Sequence, residues 1–493
     1  MENAATIEQI QNFEGKYPRQ LWSLFFSEMW ERFCFYGMRG MLTFFMVDQL
    51  LMNEKVANLQ YGATQAFVYA FTFIGGLFAD KILGFRKSLF WGGIMMIIGS
   101  AILATNPQKF FFLGISFTVI GTGFFKPNIS TMVGALYKAD DNRRDAGFSL
   151  FYSGINIGAL LGGYVCIYLG KNHSWNLAFG LAGIVMAISL LTFVFTQRTM
   201  ANIGISPLLH LSPSKRRLYE IATYLGTILA IPLIMTMVSN PQNTDYFMYT
   251  IGPCTLLYLA YEMRSFTASE NKKLIAAMIF IVFSILFWAF FEQSGGSLSL
   301  FAANNLKDTV LGVQFDPNGV NNSANALFVI FFAPILGILW IWMSKRKMEP
   351  NTVVKFGLGF LFLSLAFYVF YASRFFANAE GITSLEVFTL AYFVMTFGEL
   401  CLSPIGLSIM TKLSPVRLQA VMMGMWFLAS AYGQYAAGIL GAGMASANEN
   451  ASVGEKLIAY TNGYLQLAIY ALVSGVVLIA ISPFVKKLMQ EVK

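Results

Sequence analysis

The sequence predicts an all-α polytopic membrane protein: two six-helix bundles plus two inserted helices, 14 transmembrane helices in all. Three observations carry this. The 493-residue chain is 56% hydrophobic and 12% charged, too little charge for the surface of a soluble protein this large. Apolar runs such as "FFLGISFTVIGTGFF", "LAFGLAGIVMAISLLTFVF" and "LIAAMIFIVFSILFWAFF" recur along the whole chain, and about 20 apolar residues cross a bilayer. Basic residues gather in alternate connecting segments, so the net charge of +8 reads as membrane topology and not as a nucleic-acid surface.

In chain order, helices are expected over 20–50, 57–79, 88–105, 110–134, 146–169 and 175–196. A second set is expected over 272–303, 323–344, 353–373, 384–411, 417–443 and 457–485. The inserted pair spans 218–238 and 245–263. Lys81, Arg86 and Lys87 follow the second helix, Arg143 and Arg144 the fourth, and Lys345, Arg346 and Lys347 the eighth of the main twelve. All fall on one side, which the positive-inside rule makes cytoplasmic. Lys215, Arg216 and Arg217 precede the inserted pair and Arg264, Lys272 and Lys273 follow it, so both its ends lie on that side and it leaves the orientation unchanged.

The polar, acidic opening "MENAATIEQIQNFEGKYPRQ" lacks the pattern of a secretory signal. The expectation is a multi-pass protein of the plasma (cytoplasmic) membrane, the cell inner membrane of a bacterium, with N- and C-termini cytoplasmic. The domains follow: 1–196 as the N-terminal six-helix bundle, 197–271 as cytoplasmic linkers with the inserted hairpin, and 272–493 as the C-terminal six-helix bundle. Cys34, Cys166, Cys254 and Cys401 are far apart, and His173 and His210 have no partner histidines. No spacing suggests a metal, a cofactor or a disulfide framework.

The stretch "EMWERFCFYGMR" puts Glu28, Glu31, Arg32 and Arg39 inside the first apolar helix. A charge at mid-bilayer costs about 2.5–3.5 kcal/mol on insertion scales, so such groups face a protein interior or a water-filled path and mark function. At 100° per residue Glu28, Arg32, Phe35 and Arg39 share one stripe, with Glu31 and Tyr36 beside it. Glu28 and Arg32, four apart, can pair. Arg39 lies about 16 Å further along the axis than Glu28, so snorkelling to one interface cannot serve both ends.

Lys126 precedes Pro127 in the fourth helix, Glu399 precedes Pro404 in the tenth, and Glu292 precedes a glycine pair in the seventh. If the bundles are repeats, one and seven correspond, as do four and ten, so each equivalent pair carries buried charge. Interrupted helices at matching positions point to a central binding site. "GTGFFK" lacks the spacing of a nucleotide loop; close helix packing accounts for Gly121 and Gly123. No Ser/His/Asp or HExxH pattern suggests an enzyme.

The connector "GGLFADKILGFRK" (Gly76, Asp80, Lys81, Gly84, Arg86, Lys87) resembles the motif between the second and third helices of the major facilitator superfamily, and so implies that superfamily's fold. The first-helix stretch (Glu28, Glu31, Arg32, Phe33, Tyr36, Gly37) resembles the ExxERFxYYG motif of the proton-dependent oligopeptide transporter (POT or PTR) family. "GTGFFKPN", "FYSGINIGALLGG", "FWAFFEQSG", "FGELCLSPIGLS" and "GMWFLAS" follow in that family's order, and the inserted pair resembles that of its bacterial members.

The resemblance implies a proton-coupled symporter importing di- and tripeptides by alternating access, with protons as the coupling ion and no cofactor. Arg32 and Lys126 would take the peptide carboxylate. Asn156, Asn325 and Glu399 would take its amine. Tyr36, Tyr69, Trp288, Ser403 and Trp426 would complete the substrate site. Glu28, Glu31 and Glu292 would couple protons. Lys126–Glu399 would gate the cytoplasmic side and Arg39–Glu292 the outer side. The expected partners are peptide and membrane lipid, with no nucleic acid and a monomer as functional unit.

The alternatives are a major facilitator symporter for another small solute and, in a different class, a membrane peptide receptor. The pairing of cationic and anionic sites suits a zwitterion better than a simple anion, and a receptor needs no buried acids. The chain departs from the family pattern twice. Phe35 replaces the first Tyr of the usual pair, and Gly62 stands where animal members carry a His, which leaves proton coupling to carboxylates.

Overall fold

Helix follows helix along the chain, as a bilayer requires: with no water in the hydrocarbon, each backbone N–H must find its carbonyl within the same segment. The computed structural model describes residues 6–138, 141, 143–402, 406–446, 448 and 450–490. The helices are α1 (Ile7–Gln11), α2 (Arg19–Asp48), α3 (Glu54–Phe78), α4 (Phe85–Thr105), α5 (Pro107–Ala135), α6 (Arg144–Asn172), α7 (Trp175–Thr196), α8 (Pro213–Ser239) and α9 (Pro241–Glu262). There follow α10 (Ala268–Phe291), α11 (Ser297–Asn305), α12 (Pro317–Lys345), α13 (Thr352–Ala372), α14 (Leu385–Leu402), α15 (Gly406–Leu413), α16 (Gln419–Met444) and α17 (Val453–Met489). A short ribbon, β1 (Thr309–Val310) with β2 (Val313–Gln314), precedes α12. Among the described residues, eleven helices are long and apolar enough to cross a membrane unaided. All fourteen expected spans coincide with a helix or, at the seventh and tenth of the main twelve, with two.

Starts are fixed by capping. Thr267 and Glu270 form a reciprocal capping box at α10, and Ser452 and Glu455 do so at α17; each satisfies donors that the first turn leaves open. Asp316 caps α12, with Pro317 supplying the preset first φ.

Two expectations about helix interruption need correction. The segment 272–303 is not one helix: α10 ends at Phe291, and α11 resumes at Ser297 after the Gly295–Gly296 pair. Its counterpart α2 runs unbroken through Arg19–Asp48. Pro127 does not interrupt α5 either, whose non-helical residue is Phe110. Proline removes the bond to the carbonyl four residues back, here Gly123 O. Gly75 of α3 packs against that freed carbonyl, where a Cβ would stand 2.2 Å away. Of the first corresponding pair, then, the seventh span breaks and the first does not; in the tenth span the described residues form α14 and α15 on either side of residues 403–405. Pro404 lies outside the described residues.

Contacts divide the chain into two units. The first holds the described residues to Met41 together with Phe67–Ser239; the second holds Leu42–Ala66 and the residues from Asn240 onward. In the first unit α4 packs on α5 and α7, α6 on α7, and α8 on α5. In the second α13 packs on α14 and α17, α10 on α16, α12 on α14, and α9 on α16. The hairpin is thus divided: α8 belongs to the first unit, where Trp91 Nε1 donates to Thr227 Oγ1 at 3.0 Å. α9 belongs to the second, where Tyr435 OH donates to Asp245.

The connector after α3 shows what its residues do. It passes through a π-helical turn, Ala79–Leu83, and reverses at Gly84, whose φ of +77° suits only glycine. Arg86 then donates to the carbonyls of Ile203 (2.7 Å) and Ala201 (2.6 Å), and its backbone N–H to Gly204 O. The motif therefore clamps the segment that leaves α7, within the first unit.

Candidate functional site

Glu28 and Arg32 of α2 pair as their four-residue spacing predicts, and Glu31 joins them. Arg32 Nε lies 3.2 Å from Glu28 Oε1, and its Nη2 donates to Glu31 Oε1 at 2.6 Å while Nε donates to Glu31 Oε2. All three side chains are at most 1% exposed. Both oxygens of Glu31 are committed to Arg32, whereas Glu28 Oε2 is buried and accepts no hydrogen bond. A buried charge persists where it is paired and hydrogen-bonded, and the trio meets that condition except at this one oxygen. The Arg32 guanidinium also lies 4.9 Å from the Phe35 ring centroid, so Phe35 contributes a π face to the cation.

Glycines of α6 set the depth of this cluster. A Cβ at Gly158 would stand 2.1 Å from Met29 O and 2.9 Å from Arg32 Cβ, and one at Gly162 would stand 2.2 Å from Phe33 O. The backbones of α2 and α6 meet here because no side chain intervenes, the logic of small residues at membrane helix contacts. This signal stands in "GINIGALLG", where the sequence reading took only Asn156. Asn156 itself is 7% exposed and donates to Tyr152 O at 2.9 Å, one turn back.

Other expected residues of the first unit lie nearby along α2, α3 and α5. Lys126 Nζ sits 4.8 Å from the Tyr69 ring centroid, and Arg39 stands 5.6 Å from that of Tyr36. Lys126, Tyr69, Tyr36 and Arg39 are all partly exposed, as groups lining a path would be.

In the second unit, Asn325 of α12 donates to Glu399 Oε2 of α14 at 2.9 Å and to Thr396 Oγ1 at 3.2 Å. This joins two of the three residues expected at a peptide amine. Glu292, 5% exposed, occupies the end of α10, its N–H on Trp288 O at 3.0 Å. Trp288 is half-buried, with its Cβ against Gly433 of α16, and Trp426 is buried with its ring against Gly406. Trp426 therefore packs helices as well as carrying an indole. Ser403 lies outside the described residues.

Three polar features escaped the sequence reading. Tyr392 OH donates to Asn321 Oδ1 at 2.6 Å, and Asn321 Nδ2 to Ser294 O at 2.7 Å, which holds the break after α10 open. Gln293 Nε2 donates to Ala437 O at 3.1 Å and so ties that break to α16. Glu54, the first residue of α3, binds Lys456 at 2.7 Å and Tyr460. Single Asn, Gln and Glu residues at helix ends carry no spacing that a sequence exposes.

The model of the POT family matches residues 86–457 of the chain. The peptide transporter YePEPT of Yersinia enterocolitica is 34% identical over 451 residues, covering 86% of this chain and 88% of that protein. The di-/tripeptide transporter of Lactococcus lactis is 32% identical over 437 residues, covering 85% of this chain and 88% of that protein. Among solved structures, a mutant of peptide transporter POT in complex with alafosfalin matches with a TM-score of 0.85 at 32% identity, over 99% of this chain and 100% of that one. A POT family transporter in complex with 5-aminolevulinic acid matches with a TM-score of 0.83 at 29% identity, over 98% and 100%.

Proposed function

This chain belongs to the POT family, and on that premise we propose that it is a proton-coupled symporter importing di- and tripeptides by alternating access. It is a multi-pass membrane transporter and not an enzyme. The observation that carries the proposal is the Glu28–Arg32–Glu31 cluster: one buried cation between two carboxylates, with one carboxylate oxygen unused. Arg32 has a planar fork suited to a carboxylate, and Glu31 occupies it. A proton arriving at Glu28 Oε2 removes one negative charge from the cluster and redistributes the hold on Arg32. A peptide carboxylate then competes for the guanidinium, with Lys126 as its second cation. At the other terminus of the substrate, Asn325 and Glu399 form a paired acceptor site for an ammonium group. A zwitterion needs both signs, and a pocket that tolerates many side chains needs apolar and aromatic lining between them; Tyr36, Tyr69 and Trp288 supply it.

In this reading Glu292 with Arg39 gates one side and Glu399 with Lys126 the other. Protons are the coupling ion, no cofactor takes part, a monomer is the unit of transport, and both termini lie in the cytoplasm. The test is uptake of a labelled dipeptide by purified protein in liposomes under an inward proton gradient. Accumulation that an uncoupler collapses supports the proposal; uptake indifferent to gradient and uncoupler refutes symport.

A further inference from the structure

The second contact unit includes Leu42–Ala66, which are the adjoining ends of α2 and α3 and the loop between them. The remainder of those two helices belongs to the first unit. Within the second unit this piece is held tightly. Thr43 Oγ1 donates to Gly295 O. A Cβ at Gly62 would stand 2.7 Å from Gly438 Cα and 3.0 Å from Gln434 O. Both are backbone atoms that cannot yield, so α3 and α16 meet with no side chain between them. This gives the departure at Gly62 a physical reason: a histidine there has no room in this arrangement.

At the tip of the piece, three donors converge on one carboxylate. Glu54 accepts from Lys456 Nζ at 2.7 Å and from Tyr460 OH, both on α17, and from Asn304 Nδ2 of α11 at 3.4 Å. Glu54 is 12% exposed and Lys456 21%, and both border a cavity of about 290 Å³. A glutamate in a first helical turn is commonly placed for the helix dipole alone. That role needs no partner from α11 or α17, and here a fully buried tyrosine and a lysine are both spent on it.

We propose that Glu54 and Lys456, with Tyr460, are a latch that holds one end of the carrier closed. The ion pair fastens Leu42–Ala66 to α17, the Gly62–Gly438 contact seats it against α16, and the pair breaks when that end opens to solute. Glu54 and Lys456 are thus positioning residues for access, acting through the seat of α3 and not through contact with substrate. The inference rests on reading the chain as an alternating-access carrier, but its test requires neither peptide nor proton gradient, so the two fail separately.

The reporter is Ala437→Cys, 3% exposed on the α16 face that carries Gln434, Gly438 and Gly441. It is placed in full-length protein carrying Cys254→Ser, because Cys254 is the exposed one of the four native cysteines. Oriented vesicles are treated with a membrane-impermeant maleimide on the face opposite the termini. Glu54→Gln and Lys456→Gln should each raise the labelling rate about tenfold, the factor that corresponds to 1.4 kcal/mol in the closed–open equilibrium. The exchange Glu54→Lys with Lys456→Glu should return it toward the parent rate. An unchanged rate in both single variants overturns the latch. So does a rise equal from both faces, which marks general loosening, or a charge exchange that labels as fast as the single variants.

Discussion

Glu28 and Glu31 differ in what they have left to accept. Glu31 spends both oxygens on Arg32, while Glu28 keeps Oε2 unengaged. This division predicts that Glu28→Gln abolishes gradient-driven accumulation yet retains dipeptide exchange between loaded liposomes, a comparison of two assays on one preparation. Normal accumulation in that variant removes Glu28 from coupling. Arg32→Lys keeps the charge and loses the fork, and should weaken dipeptide binding roughly 10- to 100-fold by calorimetry, on the scale of about 1.4 kcal/mol per decade. Phe35 is legible in the sequence only as a missing hydroxyl. In the structure it is the π face over which Arg32 sits, worth about 0.5–2 kcal/mol.

Helices place these side chains by how closely their backbones approach. Gly158→Ala puts a Cβ into Met29 O and the base of Arg32, and should cost about 1–3 kcal/mol through overpacking, read as a lowered Tm in detergent. Gly226→Ala in α8 meets nothing within 4 Å. It should leave Tm unchanged or raise it slightly, since Ala is the better helix former by about 1 kcal/mol. Arg86→Ala removes two charge-assisted bonds to the segment after α7 and should speed amide exchange over residues 201–206. The number and order of spans were readable because hydropathy reports an element whose length the bilayer fixes. The break after Phe291 was marked by the glycine pair that follows Glu292, but the apolar run on both sides of that pair concealed that it divides the span into two helices.

Across the whole molecule, transport has a thermodynamic ceiling that the chain's chemistry cannot exceed. One proton moving down a gradient of one pH unit supplies about 1.4 kcal/mol, so accumulation of a neutral zwitterion, with voltage clamped, should approach tenfold for one coupled proton and a hundredfold for two. The steady-state ratio in liposomes measures this number. The hairpin that the sequence left without a role has each helix attached to a different contact unit, α8 through Trp91 and Thr227, α9 through Asp245 and Tyr435. Its connection at Ser239–Pro241 is therefore a covalent link between the two units.

By itself the sequence determined the class: spans from hydropathy and a buried charged stripe on α2 from 100° periodicity. Each of these is a local property, fixed within one helix or loop. Tertiary structure alone decided which carboxylate oxygen is unused, that α2 and α6 touch through glycines, that Asn325 meets Glu399, and that Glu54 is tied to α17. Each of these joins residues from distant parts of the chain or depends on the one orientation that packing leaves them, and neither spacing nor composition records that.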